Sequence, residues 1–343
     1  MDRNPSADDA EIAEIVRGFL ALQAGTAALE NRPLRRTTHP KGVCVKAVFA
    51  VFDVASGREP RLASRLAQGI YAKPGSYAAT VRFANSDPHM NSDWQPDVRS
   101  LSFAVDLVPP DQTEPVRGVR RQDYSLQSAP TLPFNDVQAF VLFARVARAS
   151  NEAMALGAMP FRDQLLFTQT KAAILQQQRQ PVRPYQQLRY WSNVPFRHGA
   201  EDVVKYSMWP SSVNPTRPLE MHNANCLRDE LIRHVDEDDS MSAFDFGVQF
   251  LDPRQMTYQG TRRDASFWIE NASVEWLEAQ APFYTIGRLT LVPHSTLTAE
   301  AAEAMYIDVT GNSVEESAPI GRVNRARWYA EVASRKARQD KTI

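Results

Sequence analysis

The stretch "RTTHPKGVCVKAVFAVFDVA", residues 36–55, decides how the chain is read. Beyond Gly42, apolar residues fall on every second position: Val43, Val45, Ala47, Phe49 and Val51. A period of two puts them on one face of a strand, against a core. His39 stands at the mouth of that strand, between Thr38 and Pro40, with Arg36 three residues upstream. A titratable ring at that point raises the question of what it is for.

Working outward, residues 9–30 ("DAEIAEIVRGFLALQAGTAALE") carry apolar side chains at helical spacing with acids in the first turn. Alternation returns at 76–86 ("SYAATVRFANS") and 98–108 ("VRSLSFAVDLV"), separated by the turn-rich "DPHMNSDWQP". Helices are expected over 137–158 and 161–180, and strands at 202–210, 243–252 and 285–293. A basic helix closes the chain over 319–340. There is no internal repeat, long linker or low-complexity tract. The order predicts one α+β domain built on antiparallel strands, not a βαβ parallel sheet.

The bulk numbers narrow the function. The 343 residues are 43% hydrophobic with a net charge of -1, and the pI is about 6.6. A nucleic-acid binder usually carries a basic field, so none is expected as a partner. No run of 18 apolar residues occurs, so no membrane span is expected. The acidic, polar N-terminus does not resemble a signal peptide. Cys44 and Cys226, far apart and outside any CxxC pattern, read as reduced thiols of a cytoplasmic protein. P-loop, GxGxxG and GxSxG motifs are absent. His222, Cys226 and His234 fit no standard zinc spacing, and "RHVDEDDS" (233–240) reads as a solvated acidic loop. His89 and His294 read as surface residues.

In the last helix Arg325 and Tyr329 are four apart and so share a face. A cation beside the phenol favours phenolate. An anionic oxygen is what a ferric haem iron takes from an axial tyrosine.

Six segments in order resemble the haem catalase superfamily, in its small catalase-related branch. "RTTHPKG" resembles the segment that carries the distal histidine. "TVRFANS" (80–86) and "DVRSLSFAV" (97–105) resemble two successive family strands. "DYSLQSAPTLPFNDVQAF" (123–140) resembles the segment ending in the Asp and Phe of the haem pocket. "IGRLTLVP" (286–293) resembles a further strand, and "RARWY" (325–329) the proximal Arg-x-x-x-Tyr. The resemblance implies a closed antiparallel β-barrel with helices packed outside, and haem, most simply b-type, between barrel and C-terminal helix. The chain is expected to divide into an N-terminal helix over 1–30 and a single core over 31–343. His39 would be the distal acid/base, and Tyr329 the ligand to iron, held as phenolate by Arg325. Arg36 and Arg82 would sit near the propionates, and Phe140 would pack on the porphyrin. A homodimer is expected by analogy.

The departures bear on peroxide turnover. The family's distal asparagine falls at Gln127, with Ser128 next to it, and the serine that supports the histidine falls at Ala84. Thr38 replaces the usual valine and resembles the allene oxide synthase branch, in which a threonine bonds the distal histidine. Arg335 and Arg338 are both candidates for a second family arginine. The expectation is a haem peroxidase in peroxide defence that takes organic hydroperoxides and an organic reductant, with weak catalase activity. The alternatives are a fatty-acid hydroperoxide isomerase or lyase, and a barrel that binds haem or lipid without chemistry.

Overall fold

A computed structural model describes residues 7–108, 118–149, 151–211, 214, 216–238 and 240–339. Its strands are β1 (Gly42–Val51), β2 (Gly75–Asn85), β3 (Arg99–Asp106), β4 (Arg121–Gln127), β5 (Tyr190–Trp191), β6 (Phe196–His198), β7 (Asp202–Pro210), β8 (Ala243–Phe250), the short hairpin β9 (Thr257–Tyr258) and β10 (Thr261–Arg262), and β11 (Phe283–Thr296). The helices are α1 (Ala7–Leu29), α2 (Pro60–Leu66), α3 (Val137–Ala147), α4 (Glu152–Gly157), α5 (Phe161–Gln178), α6 (Cys226–Ile232), α7 (Ala265–Glu270), α8 (Ala299–Ala304) and α9 (Arg322–Gln339).

The main sheet runs β5-β4-β3-β2-β1-β11-β8-β7-β6, and β5 also pairs with β7. That pairing closes eight strands into an antiparallel barrel, leaving no free edge among them. β1 lies in register with β2 from Gly42↔Ala84 to Val51↔Gly75. On its other side it meets β11, whose course slips near Val45 and Ala47. Pro293 and His294, the latter with φ 52, fall in that irregular part of β11, where a proline costs no ladder bond. At Gly287 a Cβ would lie 2.6 Å from the Ala50 carbonyl, so the close β1–β11 approach needs glycine.

The alternation of β1 behaves as expected: Val45, Ala47, Phe49 and Val51 are buried while Lys46 is exposed. The lumen is filled by rings. Phe103 stacks on Tyr124 at 4.5 Å, Phe49 and Phe246 meet edge to face at 5.4 Å, and the Tyr71 and Tyr124 hydroxyls are 2.6 Å apart. Such pairs add about 0.5–1.5 kcal/mol each beyond their area burial. The barrel is therefore a packed core, and any ligand must sit outside it.

Two segments differ from the sequence expectation. The helix expected over 137–158 is two helices, because Asn151 accepts the Met154 N–H at 3.1 Å and caps α4 as a new start. The "RHVDEDDS" segment is not a solvated loop. Arg233–Glu237 continues α6 as a π turn with His234 and Val235 buried, and Arg233 pairs with Glu230 and, at 2.8 Å, Asp238. Asp236 also accepts the Thr296 N–H at 3.3 Å, while Glu237 is exposed.

α1 packs on α3 and α9. Gly18 makes the first contact possible, since a Cβ would stand 2.6 Å from Ala144 Cβ. Residues Ala10–Leu29 are long and apolar enough to cross a bilayer by length and composition. In this fold they lie along the other helices, with Glu14 bonded to Arg145 at 2.9 Å and Arg148 at 3.0 Å.

Candidate active site

One cavity of about 470 Å³ opens between the outer wall of the barrel and helices α1, α3, α5 and α9. Its size lies within the usual range for a bound small molecule or cofactor. Strand alternation builds the barrel side. Leu101 and Phe103 of β3, and Tyr124 and Leu126 of β4, point into the lumen. Ser100, Ser102, Ser125 and Gln127 point the other way and line the cavity. The serines are small, which leaves room for a flat body against the wall. On the helix side the wall is mainly apolar, with Phe19, Leu22, Phe140, Phe143 and Ile174. Phe140 stacks on Phe134 at 4.6 Å and meets Phe19 edge-on at 5.3 Å.

His39 enters from the segment before β1. Its φ is 61, a left-handed backbone that side chains other than glycine rarely adopt. Arg82 holds this turn: its Nη2 donates to the His39 carbonyl at 2.8 Å. The Arg82 guanidinium crosses Gly42, where a Cβ would come within 2.7 Å of Cζ. Lys41 anchors the far side through Asp93 at 2.7 Å and the Asn91 and Ala224 carbonyls. The His39 ring is thus fixed from both flanks. Nδ1 shares a 3.0 Å hydrogen bond with Thr38 Oγ1. Nε2 is buried and has no hydrogen-bond partner among the described residues.

Burial, reinforced by the charges of Arg82, Arg327 and Arg36, lowers the His39 pKa to about 3. The ring is neutral at physiological pH. His198, buried beneath α2, is also lowered, to about 4, mainly by burial. Both values lie below the ordinary histidine value of about 6.5. Between that value and about 3 the unfolded chain binds a proton that folded His39 refuses. Stability should therefore fall as pH drops through this window. Thermal unfolding of the ligand-free chain at neutral pH and at about pH 4.5 tests the sign. The wild type should lose more Tm on acidification than His39→Gln; equal losses would mean that the folded ring takes up its proton normally.

The cavity carries an excess of cations. Arg36, Arg82, Arg327, Arg335 and Arg338 line it, against Asp87 and Glu331. Arg36 donates to Glu303 at 3.2 Å and to the Met305 carbonyl, and Arg338 donates to the other Glu303 oxygen at 3.1 Å. Burial, then Arg82, lowers the Arg36 pKa to about 9, so it stays charged at neutral pH. An anionic head on an apolar body is the ligand chemistry that such a wall favours.

Of the expected residues, His39, Thr38, Gln127, Arg36, Arg82 and Phe140 all line this one cavity. Ser128 does not; its hydroxyl donates to Gln180 and accepts the Arg99 N–H. Ala84 is buried in β2. Of the two later arginines, both Arg335 and Arg338 face the cavity. Arg325 and Tyr329 require correction. Neither lines the cavity, and Tyr329 is 43% exposed with its ring edge-on to Trp328 at 4.7 Å. The reason is the rotational phase of α9. Its inward stripe is Val323, Ala326, Ala330 and Ser334, which are buried, and the cavity sees Arg327, Glu331, Arg335 and Arg338 beside that stripe. Tyr329 lies about 200° around the helix from Glu331. Glu331 had given no signal in the sequence beyond its spacing. Its side chain keeps 44% of its surface, and that surface faces the cavity. Burial raises its pKa, opposed by Arg327 at 4.0 Å.

By sequence the chain matches no protein-family description and no curated protein. By structure it carries the catalase fold. It is similar to a fungal catalase with a TM-score of 0.65 at 12% identity, over 92% of this chain and 62% of that one. It is similar to catalase A from Saccharomyces cerevisiae at 0.63 and 13%, over 92% and 63%. A bacterial catalase matches at 0.61 and 17%, over 93% and 60%. The chain therefore spans about three fifths of the length of the catalases it matches.

Proposed function

We propose that the chain is a haem-dependent peroxidase that reduces organic hydroperoxides with an organic reductant, with weak catalase activity, in peroxide defence. The observation that carries this reading is the neutral, buried His39, a residue of a cavity walled by phenylalanines and arginines, whose Nε2 has no hydrogen-bond partner among the described residues. The donor set suits haem. The serine wall of β3 and β4 leaves space for a flat ring, Phe140 offers an aromatic face, and Arg36, Arg335 and Arg338 suit the propionates. Haem would supply the redox chemistry that splits the O–O bond.

The chain's own work is proton handling. With Nδ1–H donated to Thr38 Oγ1, the Nε2 lone pair is free to take the hydroperoxide proton and return it to the leaving oxygen. Arg82 and the Lys41–Asp93 pair hold the ring through the backbone, so its aim costs no reorganisation at the moment of transfer. Gln127 lines the cavity as an amide donor for the bound peroxide, one methylene longer than asparagine. The apolar wall fits an organic substituent better than water. The test is oxidation of a phenolic dye by cumene hydroperoxide and by hydrogen peroxide after haem loading. A higher kcat/KM with the organic peroxide is expected, and no turnover with either would sink the reading.

The Thr38–His39 hydrogen bond also favours a second reading, rearrangement of a fatty-acid hydroperoxide without a donor. Supplying a lipid hydroperoxide alone and analysing products separates the two. Thr38→Val leaves Nδ1 without its partner. It should lower peroxidase kcat by on the order of 10²-fold at most, with the KM for the reductant unchanged. An unchanged kcat would show that backbone clamping alone aims the ring.

A further inference from the structure

We infer that Glu331, on the cavity face of α9, is the side chain that gives an anionic oxygen to the iron of a haem held in this cavity, in place of Tyr329. This rests on the haem reading above.

Three observations converge. First, the phase of α9 turns Glu331 into the cavity and Tyr329 out of it. Second, Arg327 and Glu331 repeat the four-residue spacing of Arg325 and Tyr329 on the face that counts. Arg327 also lines the cavity, with its guanidinium 4.0 Å from the carboxylate. That distance is long for a hydrogen bond, and among the described residues no group hydrogen-bonds the Glu331 carboxylate. Its oxygens keep lone pairs for a further cation. Third, the neighbours leave room and fix position. Ala330 and Ser334 are small, and the Ser334 hydroxyl lies 3.0 Å from Thr37 Oγ1, two residues before His39. The helix that presents the carboxylate is thereby tied to the segment that presents the imidazole.

Carboxylate oxygen is a hard donor that suits ferric iron, as phenolate oxygen does. The Glu331 carboxylate faces the cavity, and the Arg327 guanidinium there stands at 4.0 Å. A ferric centre would complete the compensation.

The test is a haem titration of the full chain, read by Soret absorbance, electron paramagnetic resonance and resonance Raman. It compares wild type, Tyr329→Phe, Glu331→Gln and Glu331→Tyr. Wild type and Tyr329→Phe should bind haem alike, with the same ferric spectrum. Glu331→Gln should shift the Soret band and weaken binding at least about tenfold, the scale of a lost charged contact. Glu331→Tyr should introduce phenolate–iron vibrations absent from the wild type, a gain that guards against misfolding of the glutamine variant. If Tyr329→Phe shifts the spectrum while both Glu331 variants match the wild type, the inference is overturned and the haem reading stands. If the wild type itself takes up no haem, both fall together.

Discussion

His39→Asn is expected to lower hydroperoxide turnover by about 10²- to 10⁴-fold, the range for losing a general acid/base. Asparagine is the informative choice because position 39 has φ 61, and asparagine tolerates that backbone better than alanine. The amide cannot take the proton, while the fold around it is kept. Haem uptake should be unchanged if, as proposed, His39 is a proton site and not an iron ligand. The same variant discriminates the binding-only alternative: a carrier would show the same behaviour with histidine or asparagine. Stopped-flow traces with cumene hydroperoxide should place the loss in the peroxide step, with the reductant's KM untouched. Undiminished turnover would remove His39 from the mechanism.

Asp93→Ala is expected to cost about 3–5 kcal/mol of stability, among the largest effects of any single change outside the barrel lumen. Asp93 is fully buried and accepts from Lys41 Nζ at 2.7 Å, Asn85 Nδ2 at 2.7 Å and the Leu227 N–H at 2.8 Å. Removing the carboxylate strands a buried ammonium and two further donors. Urea unfolding should show a lower midpoint at an unchanged m-value. The double variant Lys41→Met with Asp93→Ala should be less destabilised than the two singles added together, because the stranded charge is gone. Strict additivity would mean that the two groups do not interact. The effect should reach the site as well, since Lys41 follows His39 by two residues and pins that turn.

Much of the fold was legible because one face of each barrel strand is buried. "VCVKAVFAV" and "SLSFAV" alternate visibly for that reason. β4 gave no strand signal in the sequence. Its outward residues, Arg121, Asp123, Ser125 and Gln127, are polar since they face a cavity or an ion pair, so "RQDYSLQ" carries little apolar signal. The segment 233–238 misled for the opposite reason: Arg233 pairs with Glu230 and Asp238, and His234 and Val235 are buried. The site was legible on the His39 side, where Arg36, Thr38 and Arg82 cluster around one turn. It was not legible on α9. The residues that set the phase of that helix are Val323, Ala326, Ala330 and Ser334, mostly too small to mark a hydrophobic stripe. Two Arg-x-x-x-acidic-oxygen pairs, Arg325/Tyr329 and Arg327/Glu331, then fit the spacing equally well. Packing separates them, against α1 and through the Ser334–Thr37 and Asn324–Pro195 contacts.

The aromatic filling of the barrel means that β3 and β4 are written in two alphabets at once. Leu101, Phe103, Tyr124 and Leu126 spell the scaffold, and Ser100, Ser102, Ser125 and Gln127 spell the wall of the cavity. The two sets alternate along the same strands and share no volume. The shape of the cavity is therefore free to drift, one outward residue at a time, while the inward residues keep the barrel intact. Libraries built on the four outward positions should retain folding in most members and still explore a wide range of ligand shapes.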